Sequence, residues 1–306
     1  MSLENKIWKV IKLSQYDSYF NVAIDEALLD LMNHNTRPTL VTTEWFPTIS
    51  VGYSQDVNKD VDLEACKKYN TTLVRRISGG QAVYLDEGYI VFSLVAQKEC
   101  FPKDLSKLRE SVCNVIVETL KENKIPCKFY PPDNIVTEEN GNIRTIGNSG
   151  QRIRKNTIAL HGSIRYDLLN FEKMLDMLMI NGNKLNPFTN DIKKHLGYVK
   201  MYNQEITKEE LQEKLIQNLI ENFGNGYVKG KFSSQKEFFD INSLANRKYS
   251  TKEWLFNSVS NPETRGVCYF YLNGECIIPE IAHLLPYNKP SGLQEATIEV
   301  NNGVRI

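Results

Sequence analysis

No uninterrupted apolar segment in the 306-residue chain approaches the roughly 18 to 20 residues that a bilayer-spanning helix needs. The first ten residues, Met1 to Val10, also lack the apolar stretch of a secretory signal. The expectation is a cytoplasmic protein with no membrane partner. Charge of one sign is missing too: 37 Lys and Arg stand against 37 Asp and Glu, which removes the global electrostatic argument for nucleic acid. Paired cysteines are absent. Cys66, Cys100, Cys113, Cys127, Cys268 and Cys276 form no CxxC motif, so in a chain of this size they read as reduced thiols packed as small apolar residues. Cys268, Cys276 and His283 follow no common zinc spacing. Internal repeats are lacking, as is the regular strand-helix beat of a doubly wound sheet.

What is present suits a folded domain with a sizeable core, the hydrophobic share being 41%. In "YFNVAIDEALLDLMNH" the residues Val22, Ala23, Ala27, Leu28 and Leu31 have helical spacing. "TLVTTEWF" and "TISVGYSQ" read as two strands joined by a short turn around Pro47. Helical periodicity returns at Leu108, Val112, Ile116 and Leu120, at Phe171, Met174, Leu175 and Leu178, and after Thr207, where Thr207 and Glu210 have capping-box spacing and Gly224 is a stop. The fold class is α/β or α+β, with mixed β-sheets flanked by helices. From about residue 245 the texture changes. Ser250 and Glu253 suggest another cap, Asn273 and Gly274 the turn of a hairpin, and "ATIEVNNGVRI" a further strand pair. This predicts a main domain over 1–245 and a small β-rich appendage over 246–306.

Chemistry concentrates in three places. "VRRISGGQAVYLDEG" sets Arg75 and Arg76 beside Gly79 and Gly80. Guanidinium groups bind phosphate or carboxylate through paired hydrogen bonds, and glycines let a ligand approach the main-chain amides, so an anionic ligand is implied. "TIGNSGQRIRKNTIALHGSIRYD" adds a second small-residue loop, three basic residues and a strand carrying His161 and Gly162. Asp133 and Asn134 follow two prolines, where a turn exposes them.

In this order, "NVAIDEALL", "PTISVGYSQ", "RRISGGQAVYLDEG", "DNIV", "GNSGQR" and "HGSIRYD" resemble the segments of lipoate-protein ligases and their relatives, the biotin ligases and octanoyltransferases. The resemblance spans roughly residues 8 to 260. It implies an enzyme that joins lipoate to ATP, with Mg2+, as lipoyl-AMP and passes the lipoyl group to a lysine. The acceptor would be an apo lipoyl domain or a glycine-cleavage H-like protein, with a separate accessory domain as a possible further partner. It implies a groove lined by Arg75, Arg76, Ser78, Gly79, Gly80, Gln81, Tyr84 and Asp86, by Asn134, Thr145, Gly147, Asn148 and Ser149, and by His161 and Gly162. Asp133 would hold a metal-bound phosphate or orient the incoming amine.

The chain departs from the family pattern at Gln81, at Leu85 and Tyr89, and above all at Thr145, where relatives place a lysine that contacts the acyl carbonyl and phosphate. Arg144 is the expected catalytic substitute, with Arg152, Arg154 and Lys155 as neighbours able to supply charge. Two alternatives remain open. One is an octanoyl or lipoyl transferase that forms a thioester on Cys127, whose basic neighbours Lys124 and Lys128 would lower the thiol pKa. The other is a non-catalytic binder of lipoate or of the carrier.

Overall fold

The computed structural model describes residues 7–256, apart from 15, 34, 103, 105–106, 140, 181, 186–188 and 233–234, together with the strands at 271–272 and 275–276. The chain order is β1 (Ile7–Leu13), α1 (Ser18–Leu31), β2 (Thr39–Thr43), β3 (Thr48–Val51), α2 (Val57–Asp60), α3 (Leu63–Lys68), β4 (Thr72–Arg75), β5 (Val83–Leu85) and β6 (Tyr89–Gln97). Then come α4 (Leu108–Glu122), β7 (Cys127–Tyr130), β8 (Asn134–Glu139), β9 (Asn142–Ile153), β10 (Thr157–Arg165), α5 (Phe171–Met177), β11 (Met179–Ile180) and β12 (Asn183–Lys184). The remainder is α6 (Thr189–Lys194), α7 (Val199–Tyr202), α8 (Lys208–Phe223), β13 (Gly226–Lys229), α9 (Gln235–Leu244), a π-helical turn (Ala245–Tyr249), α10 (Lys252–Phe256), β14 (Tyr271–Leu272) and β15 (Glu275–Cys276).

The main sheet has eight strands in the order β13-β1-β2-β6-β10-β9-β8-β7. It is mixed, since β1 runs parallel to β13 and β2 while the other pairs are antiparallel. One face is covered by α4 and α8. Leu108, Val112, Ile116 and Leu120 pack there with Leu211, Leu215 and Leu219 against Leu94, Leu160 and Ile164. The opposite face carries α1, where Ala23, Ala27 and Leu28 pack with Ile241 and Tyr249 against Val41, Val95 and Ala159. Apolar stripes at three-to-four spacing thus dictate both layers.

Helix α8 begins at the expected capping box of Thr207 and Glu210 and ends at Gly224. The later cap falls one residue from its expected place: the Trp254 amide donates to Thr251 Oγ1, while Ser250 Oγ donates back to the Asn246 carbonyl.

The two strands expected around Pro47 are both found. They do not pair with each other: β2 lies in the main sheet, and β3 enters a second sheet of order β4-β3-β5. The crossing is held by Asn21 Nδ2, which donates to the Glu44 carbonyl, and by the Ser18 and Thr48 hydroxyls, 2.5 Å apart. Packing continues past residue 245, because Lys248 and Tyr249 both bond the Glu26 carboxylate on α1. The pair β14 and β15 flanks Asn273 and Gly274; the rest of the appendage, with Cys268 and His283, lies outside the described residues. Among the described residues no helix is long and apolar enough to cross a membrane.

Candidate functional site

The loop between β4 and β5 carries the two arginines, and their environments differ from each other and from expectation. Arg75 is fully buried. Its Nη1 donates to the carbonyls of Gly52 (2.9 Å), Tyr53 (2.8 Å) and Gln55 (2.9 Å). Its Nε and Nη2 donate to the Leu255 carbonyl at 2.9 and 2.6 Å, and Nε also reaches the Trp254 carbonyl at 3.2 Å. Trp254 returns the contact, its indole N–H donating to the Arg75 carbonyl at 2.8 Å. Every guanidinium nitrogen is engaged, so Arg75 is a structural clasp and not the ligand contact expected from sequence. Burial lowers its pKa, against the pull of Asp56 and Asp60.

Arg76, half-buried, also bonds backbone carbonyls. Its Nη1 donates to the Ser50 carbonyl (2.7 Å), its Nη2 to those of Gly79 (2.8 Å) and Gln81 (2.7 Å), and its Nε to Gly79 as well (3.2 Å). Burial, then the charge of Arg75, brings its pKa down to about 10. The loop's other carbonyls are held inward too. The Tyr53 amide donates to the Ser78 carbonyl at 2.8 Å, and the Gly80 carbonyl lies against Gly52 so closely that a Cβ at Gly52 would stand 2.0 Å from it. Gly80 has φ +93°, a conformation that favours glycine. With the carbonyls of 78 to 81 facing inward, the exposed Gly79 and Gly80 have no acceptor for their amides among the described residues. The positive charge of both arginines is spent on backbone carbonyls and fixes the shape of the loop.

Ser78 is 1% exposed, and its Oγ lies 3.1 Å from His161 Nε2. His161, in the middle of β10, has its other nitrogen, Nδ1, 3.1 Å from Asp25 Oδ2 on α1. A carboxylate only accepts, so Nδ1 carries the proton and donates; for a neutral ring Nε2 then accepts from the Ser78 hydroxyl. The side chains of His161 and Asp25 are 22% and 16% exposed. The imidazole lies on Gly150, its cross-strand neighbour. Gly162 does not line this pocket: it packs on the Phe92 ring, with a Cβ there standing 2.6 Å from ring atoms.

The next wall is the turn into β8 and the strand β9. Asp133 Oδ2 pairs with Arg109 at 3.2 Å, and Asn134 Nδ2 reaches Asp133 Oδ1 at 3.3 Å. Burial raises the Asp133 pKa, opposed by Arg109 and then Arg76. The Ser149 amide donates to the Asp133 carbonyl (2.9 Å), and Ser149 Oγ lies 3.2 Å from Cys113 Sγ, while Ser163 Oγ donates to Asn148 Oδ1 at 3.0 Å. Gly147 allows close approach of β10, because a Cβ there would meet the Ser163 carbonyl at 2.7 Å. Among the described residues no three His, Cys, Asp or Glu side chains gather as a metal cluster; Asp133 stands as a single carboxylate with a cation on it.

Thr145 sits beside a β-bulge. Ile135 pairs with Gly147 and Val136 with Thr145, which leaves Ile146 as the extra residue. Thr145 is buried, its amide donating to the His195 carbonyl (2.9 Å) and its carbonyl accepting from Gly197 (3.0 Å) and from Arg165 Nη1 (2.7 Å). The expected substitute Arg144 pairs with Glu139 at 3.5 Å, with its Cβ against Gly197. Arg154 pairs with Asp30 and Glu26, Lys155 is exposed, and Arg152 lies 5.4 Å over the Tyr53 ring, at the mouth of the Ser78 loop.

Three further expectations are corrected. Asp86 is fully buried, accepting from the Gly88 amide (2.9 Å) and Asn170 Nδ2 (3.1 Å), and Tyr84 is buried beside it; both build the turn into β6. Cys127 is buried, its thiol donating to the Val117 carbonyl at 3.7 Å and pushed up to about 12 by burial. A thioester nucleophile needs the opposite shift. Its neighbour Lys128 pairs with Glu138 instead. Asp25 and Arg109 were missed. Asp25 stands in the quoted "NVAIDEALL" stretch, yet nothing local ties it to a histidine 136 residues away; Arg109 gives no sequence signal.

Comparison with known proteins agrees with this architecture. The chain is similar to the octanoyltransferases LipM of Anoxybacillus flavithermus, 28% identical over 287 residues with 83% of this chain and 99% of the relative covered, and of Bacillus subtilis, 25% over 283 residues with the same coverage. LipM of Moorella thermoacetica is 44% identical over 94 residues, covering 30% of this chain and 34% of that protein. Two solved structures share the fold. The bi-partite lipoate protein ligase of Thermoplasma acidophilum has a TM-score of 0.72 and 20% identity, covering 83% of this chain and 98% of its own. A lipoate-protein ligase A bound with ATP has a TM-score of 0.70 and 20% identity, covering 83% and 100%. The model of the lipoyl protein ligase A/B catalytic domain matches residues 17–220, more than half of the chain and all the walls of the site, and the chain belongs to that lipoyl and octanoyl transfer family.

Proposed function

We propose that this protein transfers an acyl group, octanoyl or lipoyl, from a thioester donor to the ε-amino group of a lysine on a lipoyl-domain or H-like carrier. The observation that carries the reading is the imidazole of His161, held at 3.1 Å on either side by Asp25 and Ser78. A lysine amine, with an ordinary pKa of about 10.4, must lose a proton to become a nucleophile, and an oriented imidazole is suited to take it. The Gly79 and Gly80 amides, without an acceptor among the described residues, would supply donors for the oxyanion charge that develops on the acyl carbonyl oxygen. The names of the LipM relatives support the octanoyl donor. Thr145 in the lysine position, with Arg165 engaged on its carbonyl, favours chemistry that needs no ammonium at an adenylate.

A second reading, ATP-dependent activation of lipoate with Mg2+, is favoured by the same acceptor-free amides, which suit an α-phosphate as well as an oxyanion. Intact-mass analysis of an apo lipoyl domain separates the two. Incubation with octanoyl carrier-protein thioester alone is expected to give the acylated carrier. Modification only with lipoate, ATP and Mg2+ would select the second reading; binding without any modification would leave a non-catalytic binder.

A further inference from the structure

Three segments that the sequence reading treated separately meet at one imidazole: the opening helix through Asp25, the glycine loop through Ser78, and β10 through His161. The arrangement has the parts of an acyl-accepting serine. A hydroxyl lies within hydrogen-bond distance of Nε2, and the ring's other nitrogen is oriented by a carboxylate from a different element. The next two residues are exposed glycines whose amides have no acceptor among the described residues. A Cβ built at Gly79 meets nothing within 4 Å, so the chain is open to a ligand at the residue that follows the buried serine, while Arg76 and Tyr53 hold the loop carbonyls. Cys66, Cys100, Cys113 and Cys127 offer no competing nucleophile. Cys66, Cys113 and Cys127 are buried with thiols pushed up to about 12, and burial raises Cys100 as well.

We infer that Ser78 Oγ receives the acyl group as an oxyester before it reaches the carrier; the inference rests on the transferase reading above. Ser78 gives its proton to His161 Nε2 as Oγ bonds the donor's carbonyl carbon, and the Gly79 and Gly80 amides receive the oxyanion. The C–S bond then breaks, and the departing thiolate takes the proton from the imidazolium. In the second half, the neutral amine of the carrier lysine attacks the ester carbon. Its proton passes through His161 to Ser78 Oγ as the C–Oγ bond breaks, which leaves an amide on the carrier and the original serine. Asp25 is a positioning residue: it keeps the proton on Nδ1 so that Nε2 faces the hydroxyl.

The test uses the full chain and an octanoyl thioester, with and without an apo lipoyl domain, quenched in acid for intact mass and peptide mapping. With the thioester alone, an octanoyl adduct on Ser78 is expected, resistant to neutral hydroxylamine as an oxyester is. Ser78→Ala is expected to lose the adduct and to slow carrier acylation by about a thousandfold or more. Ser78→Cys keeps the geometry and is expected to form an adduct that neutral hydroxylamine removes, which controls for loss of fold in the alanine variant. Asp25→Asn is expected to slow adduct formation and to change its pH profile, because the ring tautomer is no longer fixed.

An adduct mapped to another residue would overturn the inference. So would carrier acylation that persists in Ser78→Ala, or acylation by wild type with no adduct in either wild type or Ser78→Cys. An adduct on Ser78 without carrier acylation would uphold the inference and remove the carrier from the proposed function, whereas neither adduct nor transfer would remove both.

Discussion

The imidazole of His161 rests on Gly150 so closely that a Cβ added there would stand 2.4 Å from Nε2. Such a contact cannot persist, so Gly150→Ala must push the ring out of line with Ser78. Displacement of a reacting group by about 1 Å can cost on the order of a hundredfold in rate. The expected outcome is a carrier-acylation rate lowered by roughly that factor with a nearly unchanged thermal melt. Full activity in Gly150→Ala would detach the ring from the chemistry.

The two arginines of the loop separate in their effects. Arg75→Ala strips hydrogen bonds from five buried or half-buried carbonyls, and unsatisfied groups of this kind cost about 1 to 3 kcal/mol each before relaxation and water entry. A loss of about 3 kcal/mol or more in urea unfolding is expected. Arg76→Ala frees only the carbonyls of Ser50, Gly79 and Gln81. It should disturb turnover more than stability, because the amides of Gly79 and Gly80 lose their fixed direction. Equal destabilisation by both would show that Arg76 is no more than a second clasp.

Thiol reactivity tests the cysteine alternative. With their pKa pushed up to about 12, Cys66, Cys113 and Cys127 hold almost no thiolate at pH 8. Iodoacetamide followed by peptide mapping is expected to leave these three unmodified in the native protein and to modify them after denaturation. Cys127→Ser should keep carrier acylation within about twofold of wild type; abolition would restore Cys127 as the nucleophile.

Asp86 gives a pH dependence with a defined sign. Burial raises its folded-state pKa above the ordinary carboxylate value. Its contribution to stability is therefore full below the unfolded value of about 3.9 and is lost as pH rises through the folded one. Asp86→Asn has no such titration. The wild type should exceed the variant by more at about pH 4 than at pH 7 in paired urea titrations; a constant or reversed difference would contradict the assignment.

What the sequence revealed and hid follows the range of the forces involved. Helices α1, α4 and α8 were legible because their apolar spacing is local and becomes the buried stripe of two core layers. The capping box at Thr207 needs only four consecutive residues. The strands around Pro47 were legible but their partners were not, because strand partners are chosen across the chain: β3 finds Leu73 and Val74 on β4, not its sequence neighbour β2. The same distance hid the site. Two arginines beside two glycines look like a ligand clamp until the carbonyls of Gly52, Tyr53, Trp254 and Leu255 are seen to claim the first of them. Asp25 lay in view in its helix, but only folding gives it His161.

The Arg75 clasp also imposes an order on biosynthesis. Two of its carbonyl partners, Trp254 and Leu255, lie 179 and 180 residues further along the chain. A ribosome that has translated the glycine loop, both sheets' strands and helix α8 still holds a chain whose Arg75 has half its cage missing. The loop can reach its final shape only after α10 has left the exit tunnel. Nascent chains and products of premature termination before Trp254 therefore carry the signature residues without the seat that shapes them, and the glycine loop is among the last parts of the protein to mature.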